Sequence, residues 1–181
     1  HKTSPLSWSP SLSMRGREAT ASKAGYGILT ANTDDDTLKE KRLLSYLQKN
    51  RADAVLILGG RPSVKKEELL ANMPPIVAVN EKIVGLDLPT VAIDGYYAAK
   101  EIVRYLVGLG HRRLGHISGP ADKISLAADR LQGFHDILEE SNLELTWIFS
   151  TEYSMESGAL ASREWITLPE RPTAVFCSCD E

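Results

Sequence analysis

With 181 residues, 43% of them hydrophobic, the chain is long enough to bury one core or two small ones. A net charge of −3 and an isoelectric point near 5.9 argue against a free-standing nucleic-acid binder, which carries a basic face. No stretch approaches the roughly 20 apolar residues of a membrane span, and the opening HKTSPLSWSPSLS lacks the apolar centre of a secretory signal, so a cytoplasmic location is expected.

In chain order, residues 1–13 are rich in Ser and Pro, show neither helical nor strand period, and read as an unstructured tail. A strand is expected over 26–31 and a helix over 37–50, its start set by a capping box of Thr37 with Glu40. Strand 54–58, a short helix over 65–72, and strands 76–79 and 91–93 follow. Ala98, Ala99, Ile102, Val103, Leu106 and Val107 then recur at helical spacing, and Gly110 ends that helix. An apolar run over 114–118 stops at the turn pair Gly119-Pro120 and is followed by a long helix carrying Leu131, Phe134 and Leu138 to about Ser141. A strand near 147–149, a helix over 155–167 and a strand over 174–178 complete the pattern. Strands alternating with helices of this length imply parallel βαβ units with right-handed crossovers.

Six segments carry a resemblance in order and at matching spacing. They are GYGILTANTDDD (25–36), ADAVLILGGR (52–61), PPIVAVNE (74–81), LPTVAID (88–94), LGHRRLG through SGP with RLQGF (109–134), and RPTAVFC (171–177). Together they resemble the sensor core of the LacI/GalR-type bacterial transcriptional regulators, over roughly 14–181. LPTVAID after PPIVAVNE, with RLQGF, is most similar to the cytidine-repressor branch. The resemblance implies an α/β, periplasmic-binding-protein-like fold of two lobes, each a parallel sheet with flanking helices. It places an N-terminal lobe at 14–94, lacking its first strand, and an incomplete C-terminal lobe at 95–181. The chain is thus expected to be truncated at both ends. Residues 14–25 match the family's first core helix, yet Arg17 falls where an aliphatic residue would face the sheet. An Arg buried there without a partner would cost several kcal/mol.

Ligands of open parallel sheets sit outside the carboxyl ends of the strands. Those ends carry Asn32, Asp34, Gly60, Arg61, Asn80, Glu81, Asp94, Ser118 and Asp180. Such amides, carboxylates and a guanidinium suit hydrogen bonds to a hydroxyl-rich or heterocyclic molecule; for Asp34, Asp94 and Ser118 the competing role is helix capping or turn filling. Arg130, first residue of RLQGF, matches the family arginine that reaches the effector, and its planar fork of donors suits that task. A solvated Arg paired with Asp129 or Asp136 is the competing role. Tyr153 matches an aromatic that stacks on the effector in family members, against a purely packing role. Asp180 keeps the family match, whereas Cys179 departs from the polar residue common before it. The effector-binding set implied is therefore Arg130, Tyr153, Asp180, Asn80 and Asp94.

Catalytic arrangements are poor. There is no Gly-x-Ser-x-Gly elbow or phosphate loop, and Gly25-Tyr26-Gly27 lacks the third glycine of a dinucleotide fingerprint. His111 and His116 read as turn and strand residues without a carboxylate to orient a base. Cys177 and Cys179 are expected as reduced, buried thiols, since no His or second Cys pair completes a zinc set. No enzyme activity, metal or cofactor is expected. The implied function is the effector-sensing and dimerising core of a regulator, probing a nucleoside or sugar, with operator DNA bound through a head domain absent from these residues. A homodimer without membrane attachment is implied. The alternative is a periplasmic-type sugar-binding protein, which shares the fold.

Overall fold

The computed structural model describes residues 10–33, 36–49, 52–58, 70, 73–83, 85–122 and 124–179, with side-chain surroundings from residue 14 onward. Its elements are α1 (Pro10–Lys23), α2 (Thr37–Lys49), β1 (Val55–Leu58), β2 (Ile76–Asn80), β3 (Thr90–Ala92), α3 (Gly95–Gly108), β4 (Leu114–Ser118), α4 (Ser125–Glu140), β5 (Leu145–Ser150), α5 (Met155–Thr167) and β6 (Ala174–Cys177). They make two three-stranded sheets, β1-β2-β3 and β5-β4-β6, with every pairing parallel. The helix expected over 65–72 lies almost wholly outside the described residues.

The second sheet carries the larger core. α3 lays Ala99, Val103, Leu106 and Val107 toward it, while Ala98 and Ile102 turn outward, so the core-facing stripe is narrower than the six positions the sequence offered. Phe134, Ile137 and Leu138 of α4 close over the same face with Leu114 of β4. α3 ends in a Schellman arrangement: the His111 N–H donates to Leu106 O at 3.3 Å and the Gly110 N–H to Val107 O at 3.0 Å. Gly110 sits at φ 94, a left-handed conformation that glycine takes without side-chain strain.

The glycine of RLQGF sits at a contact between helices. A Cβ on Gly133 would lie 2.4 Å from the Tyr96 carbonyl oxygen and 3.1 Å from Ala99 Cβ, so the close approach of α3 to α4 needs its absence. Outside that contact, Lys100 and Arg104 bridge to Glu140 at 2.8 and 3.1 Å, and the Tyr96 hydroxyl donates to Asp136 at 2.5 Å. These contacts at the edge of the helix pair fix register more than they stabilise.

The first sheet has a thinner core, centred on Leu44 of α2 and Ile76 of β2. Leu56 and Leu58 of β1 and Val91 of β3 remain exposed, at 43%, 42% and 67%. Parallel sheets normally bury both faces.

Four sequence expectations are corrected here. Residues 26–31 form no strand: an extended segment becomes one only against a partner, none lies alongside it among the described residues, and Tyr26 and Leu29 are exposed. α2 is capped by Asp36, not by Thr37 with Glu40; Asp36 Oδ1 accepts from the Leu38 and Lys39 N–H groups at 2.8 and 3.2 Å. Those bonds hold the Asp36 carboxyl below its usual range. α1 begins at Pro10, four residues ahead of Met14. Arg17 is half-buried and not isolated, donating to Asn80 Oδ1 at 3.3 Å. Neither cysteine is in a disulfide, but Cys177 is exposed and Cys179 half-buried, because β6 ends at Cys177 and leaves both at the rim.

Candidate functional site

At the carboxyl end of the second sheet the loops are tied back onto the strands. The Thr151 N–H donates to Ser118 O at 3.0 Å and the Ser178 N–H to Ile117 O at 2.9 Å. Arg130, in the second turn of α4, reaches this rim and donates from Nη1 to the Ser178 carbonyl at 2.5 Å. Asp136, one of its competing partners, is instead engaged by Tyr96 and by Gln132, at 2.5 and 2.7 Å.

Tyr153 follows β5 and lies over Gly119. A Cβ at Gly119 would stand 2.2 Å from its Cζ and 2.3 Å from its hydroxyl oxygen, so only glycine leaves room for the phenol. The hydroxyl is buried beside the Arg130 guanidinium and the Ser178 hydroxyl, without a hydrogen bond of full geometry to either. Burial pushes its pKa up and the Arg130 charge pulls it back, so at neutral pH it remains an O–H group. Arg130 and Tyr153 are therefore brought together.

Asn80 and Asp94 form a second group. They line a cavity of about 370 Å³ with Glu81 and Lys82 after β2, Ile93 after β3, and Ser125, Leu126 and Asp129 at the start of α4. Both halves of the chain thus contribute walls, and the Ser125 hydroxyl joins them by donating to Lys82 O at 2.9 Å. Asn80 takes φ 79, a left-handed conformation that asparagine tolerates better than other side chains with a Cβ. Asp94 caps α3, accepting from the Tyr97 N–H at 2.9 Å, which is the structural role weighed for it. Ser118 likewise turns inward to the Gly119 carbonyl, at 3.0 Å. Asp34, Gly60, Arg61 and Asp180 lie outside the described residues. A larger hollow of about 550 Å³, beside Arg112, Arg113, Glu144 and Glu170, lies at the opposite, amino end of the second sheet, where the crevice rule places no ligand.

Two polar residues of the rim escaped the sequence reading as site residues. His116 Nε2 lies 2.8 Å from Ser178 Oγ, and both side chains are buried. Burial first, then the charges of His135 and Arg130, lower the His116 pKa to about 4, so the ring is neutral. The available signal was a histidine inside the apolar run LGHIS. Among the described residues no three His, Cys, Asp or Glu side chains gather as a metal site would need.

Two parallel sheets, with a cleft between the strand ends of the first and the start of a helix packed on the second, are the architecture of the periplasmic-binding type of α/β protein. Residues 7–181 match the family of periplasmic binding proteins and sugar binding domains of the LacI family, and the chain belongs to it. It is 36% identical over 170 residues to the HTH-type transcriptional repressor CytR of Escherichia coli (strain K12), covering 92% of this chain and 50% of that protein. Among solved structures it is similar to the transcription regulator CcpA of Lactococcus lactis, with a TM-score of 0.77 at 25% identity over 92% of this chain and 62% of that one. It is also similar to a periplasmic binding protein/LacI transcriptional regulator from Alkaliphilus metalliredigens QYMF complexed with D-xylulofuranose. That TM-score is 0.66 at 26% identity, covering 84% of this chain and 56% of the other. The chain spans about half the length of the curated relatives it matches. No described helix is long and apolar enough to cross a membrane.

Proposed function

We propose that this chain is the effector-sensing and dimerising core of a LacI-type transcriptional repressor, acting in the cytoplasm and closing around a small nucleoside or sugar. In this reading, residues 14–94 and 95–181 are its two lobes, and operator DNA is bound by a head domain outside these residues. The observation that carries it is the cleft itself. One wall offers Asn80 and Asp94, and the nearby rim offers Arg130 beside the buried Tyr153 hydroxyl. A charged fork, an aromatic face and amide and carboxylate acceptors suit a ring with hydroxyl groups. The curated relatives matched are named as regulators rather than enzymes, which favours sensing over catalysis and over solute capture. Ligand closure that changes the spacing of two heads is a coupling between distinct sites.

The test is calorimetric titration of wild type and Arg130→Ala with cytidine, other nucleosides and simple sugars. Losing a charge-assisted hydrogen bond should weaken binding by about 1.5 to 3 kcal/mol. Equal affinity in both proteins removes Arg130 from the site. Binding of a sugar with failure of every nucleoside leaves the sensor reading and discards the nucleoside.

A further inference from the structure

His116 stands in β4 with no exposed surface, its ring against those of both Phe134 and Phe176, each centroid 4.8 Å away. A leucine or phenylalanine would occupy this slot without burying a polar ring, so the imidazole calls for a role beyond filling space. Nε2 lies 2.8 Å from Ser178 Oγ, whereas Nδ1 is buried with no partner among the described residues. A neutral ring carrying its hydrogen on Nδ1 would orphan a buried donor. With the hydrogen on Nε2, only an acceptor is left under-used, which costs less. Nε2–H therefore donates to Ser178, and the hydroxyl, having accepted, retains its own hydrogen to give.

Ser178 is consequently held at three points. Its N–H is bound to Ile117 O at 2.9 Å, its hydroxyl to His116, and its carbonyl to Arg130 Nη1 at 2.5 Å. Resting on the effector-site reading above, we propose that His116 is a positioning residue for that site. By locking Ser178 from behind, it holds the Arg130 guanidinium at the strand ends and fixes the Ser178 hydroxyl as a donor. With the buried Ser178 hydroxyl set against Tyr153, the second-lobe rim then presents donors from Arg130 and the Tyr153 O–H. The ligand group it takes is an acceptor, such as a ring carbonyl or an unprotonated ring nitrogen.

The experiment compares wild type, His116→Leu, His116→Gln and Arg130→Ala as full chains. It reads exchange of the Arg130 guanidinium protons by NMR without ligand, and titration with cytidine. His116→Leu should speed that exchange about 10-fold, because the carbonyl holding the guanidinium is loosened. It should weaken cytidine binding about 3- to 10-fold, the worth of one hydrogen bond. The melting temperature should hold or rise, since an apolar side chain replaces a half-satisfied buried polar one. His116→Gln, which returns an N–H, should recover most of the exchange protection and affinity. A purely structural histidine would instead lose stability and leave Arg130 exchange unchanged, and that result overturns the proposal. If Arg130→Ala binds cytidine as wild type does, Arg130 leaves the effector site, and if wild type does not bind it, cytidine is discarded as the effector. The exchange measurement still decides whether His116 positions Arg130.

Discussion

Replacing Gly133 by alanine sets two effects of opposite sign against each other. In a helix interior, Gly→Ala gains about 1 kcal/mol from backbone entropy. Here the new methyl carbon would sit 2.4 Å from the Tyr96 carbonyl oxygen and 3.1 Å from Ala99 Cβ. Carbon–oxygen contacts are comfortable only from about 3.3 Å, so α3 and α4 must part by roughly 1 Å. The first obstacle is backbone and cannot rotate away. The shift loosens Val103, Phe134 and Ile137, all essentially inaccessible to solvent, in a core that packs at crystal-like density. Overpacking of this kind costs about 1–3 kcal/mol, and the upper part of that range applies because two helices move. The net expectation is destabilisation by about 1–2 kcal/mol, a fall in melting temperature of roughly 2–8 °C for a chain of this size. Gly108→Ala in α3 is the control, since nothing lies within 4 Å of its added carbon and only the favourable entropy remains. Thermal and urea melts followed by circular dichroism compare the two. If Gly133→Ala proves as stable as Gly108→Ala, the close approach of α3 to α4 is not what requires the glycine.

His116 is neutral when folded, with a pKa near 4 against 6.5 unfolded, so its contribution is complete above pH 6.5 and is lost as pH falls toward 4. That loss is about 3 kcal/mol, and His116→Phe should flatten the decline in urea midpoint between pH 6.5 and 4.5. Asp94→Ala should cost about 1 kcal/mol through the lost cap on α3, whereas Asp94→Asn keeps the cap, so any fall in effector affinity there isolates the charge. Gly119→Ala should drive the Tyr153 ring from the rim and lower effector affinity about 10-fold; unchanged titration would show that the ring is not used. Amides of α1, which has no buried residue among those described, should exchange far faster than those of α4 around Phe134 and Ile137.

The alternation of short apolar runs with helical stripes made the second sheet legible nearly residue by residue. The helix expected over 155–167 is α5 (Met155–Thr167), and the run over 114–118 is β4 (Leu114–Ser118). In both places Gly, Pro or Ser bound a segment whose side chains state its period. Residues 26–31 carry apolar side chains too, but a strand is made by its neighbour and the sequence does not say which neighbour is present. Asp36 and Thr37 are both good caps standing side by side, so pattern alone could not choose between them. Arg130 and Tyr153 were reachable by resemblance. The His116–Ser178 contact joins residues 62 apart and follows only from β4 lying beside β6.

The bonds at the cleft engage only part of what each candidate group can offer. Arg130 has five donors, of which the Ser178 carbonyl takes one. Asp94 uses one carboxylate oxygen on the Tyr97 N–H and keeps the other. Asn80 lends its oxygen to Arg17, and among the described residues its amide hydrogens take no other partner. Each side chain is thus oriented by one structural bond and, in the proposed sensor, keeps its remaining capacity for an effector. A ligand that adds to these bonds meets groups whose rotamer entropy has already been lost on folding, and pre-organisation of that kind raises affinity without enlarging the contact. For Arg130 in its proposed effector role, an arginine swinging in solvent would surrender about 1 kcal/mol of side-chain entropy on each binding event, and the carbonyl of Ser178 removes that cost beforehand.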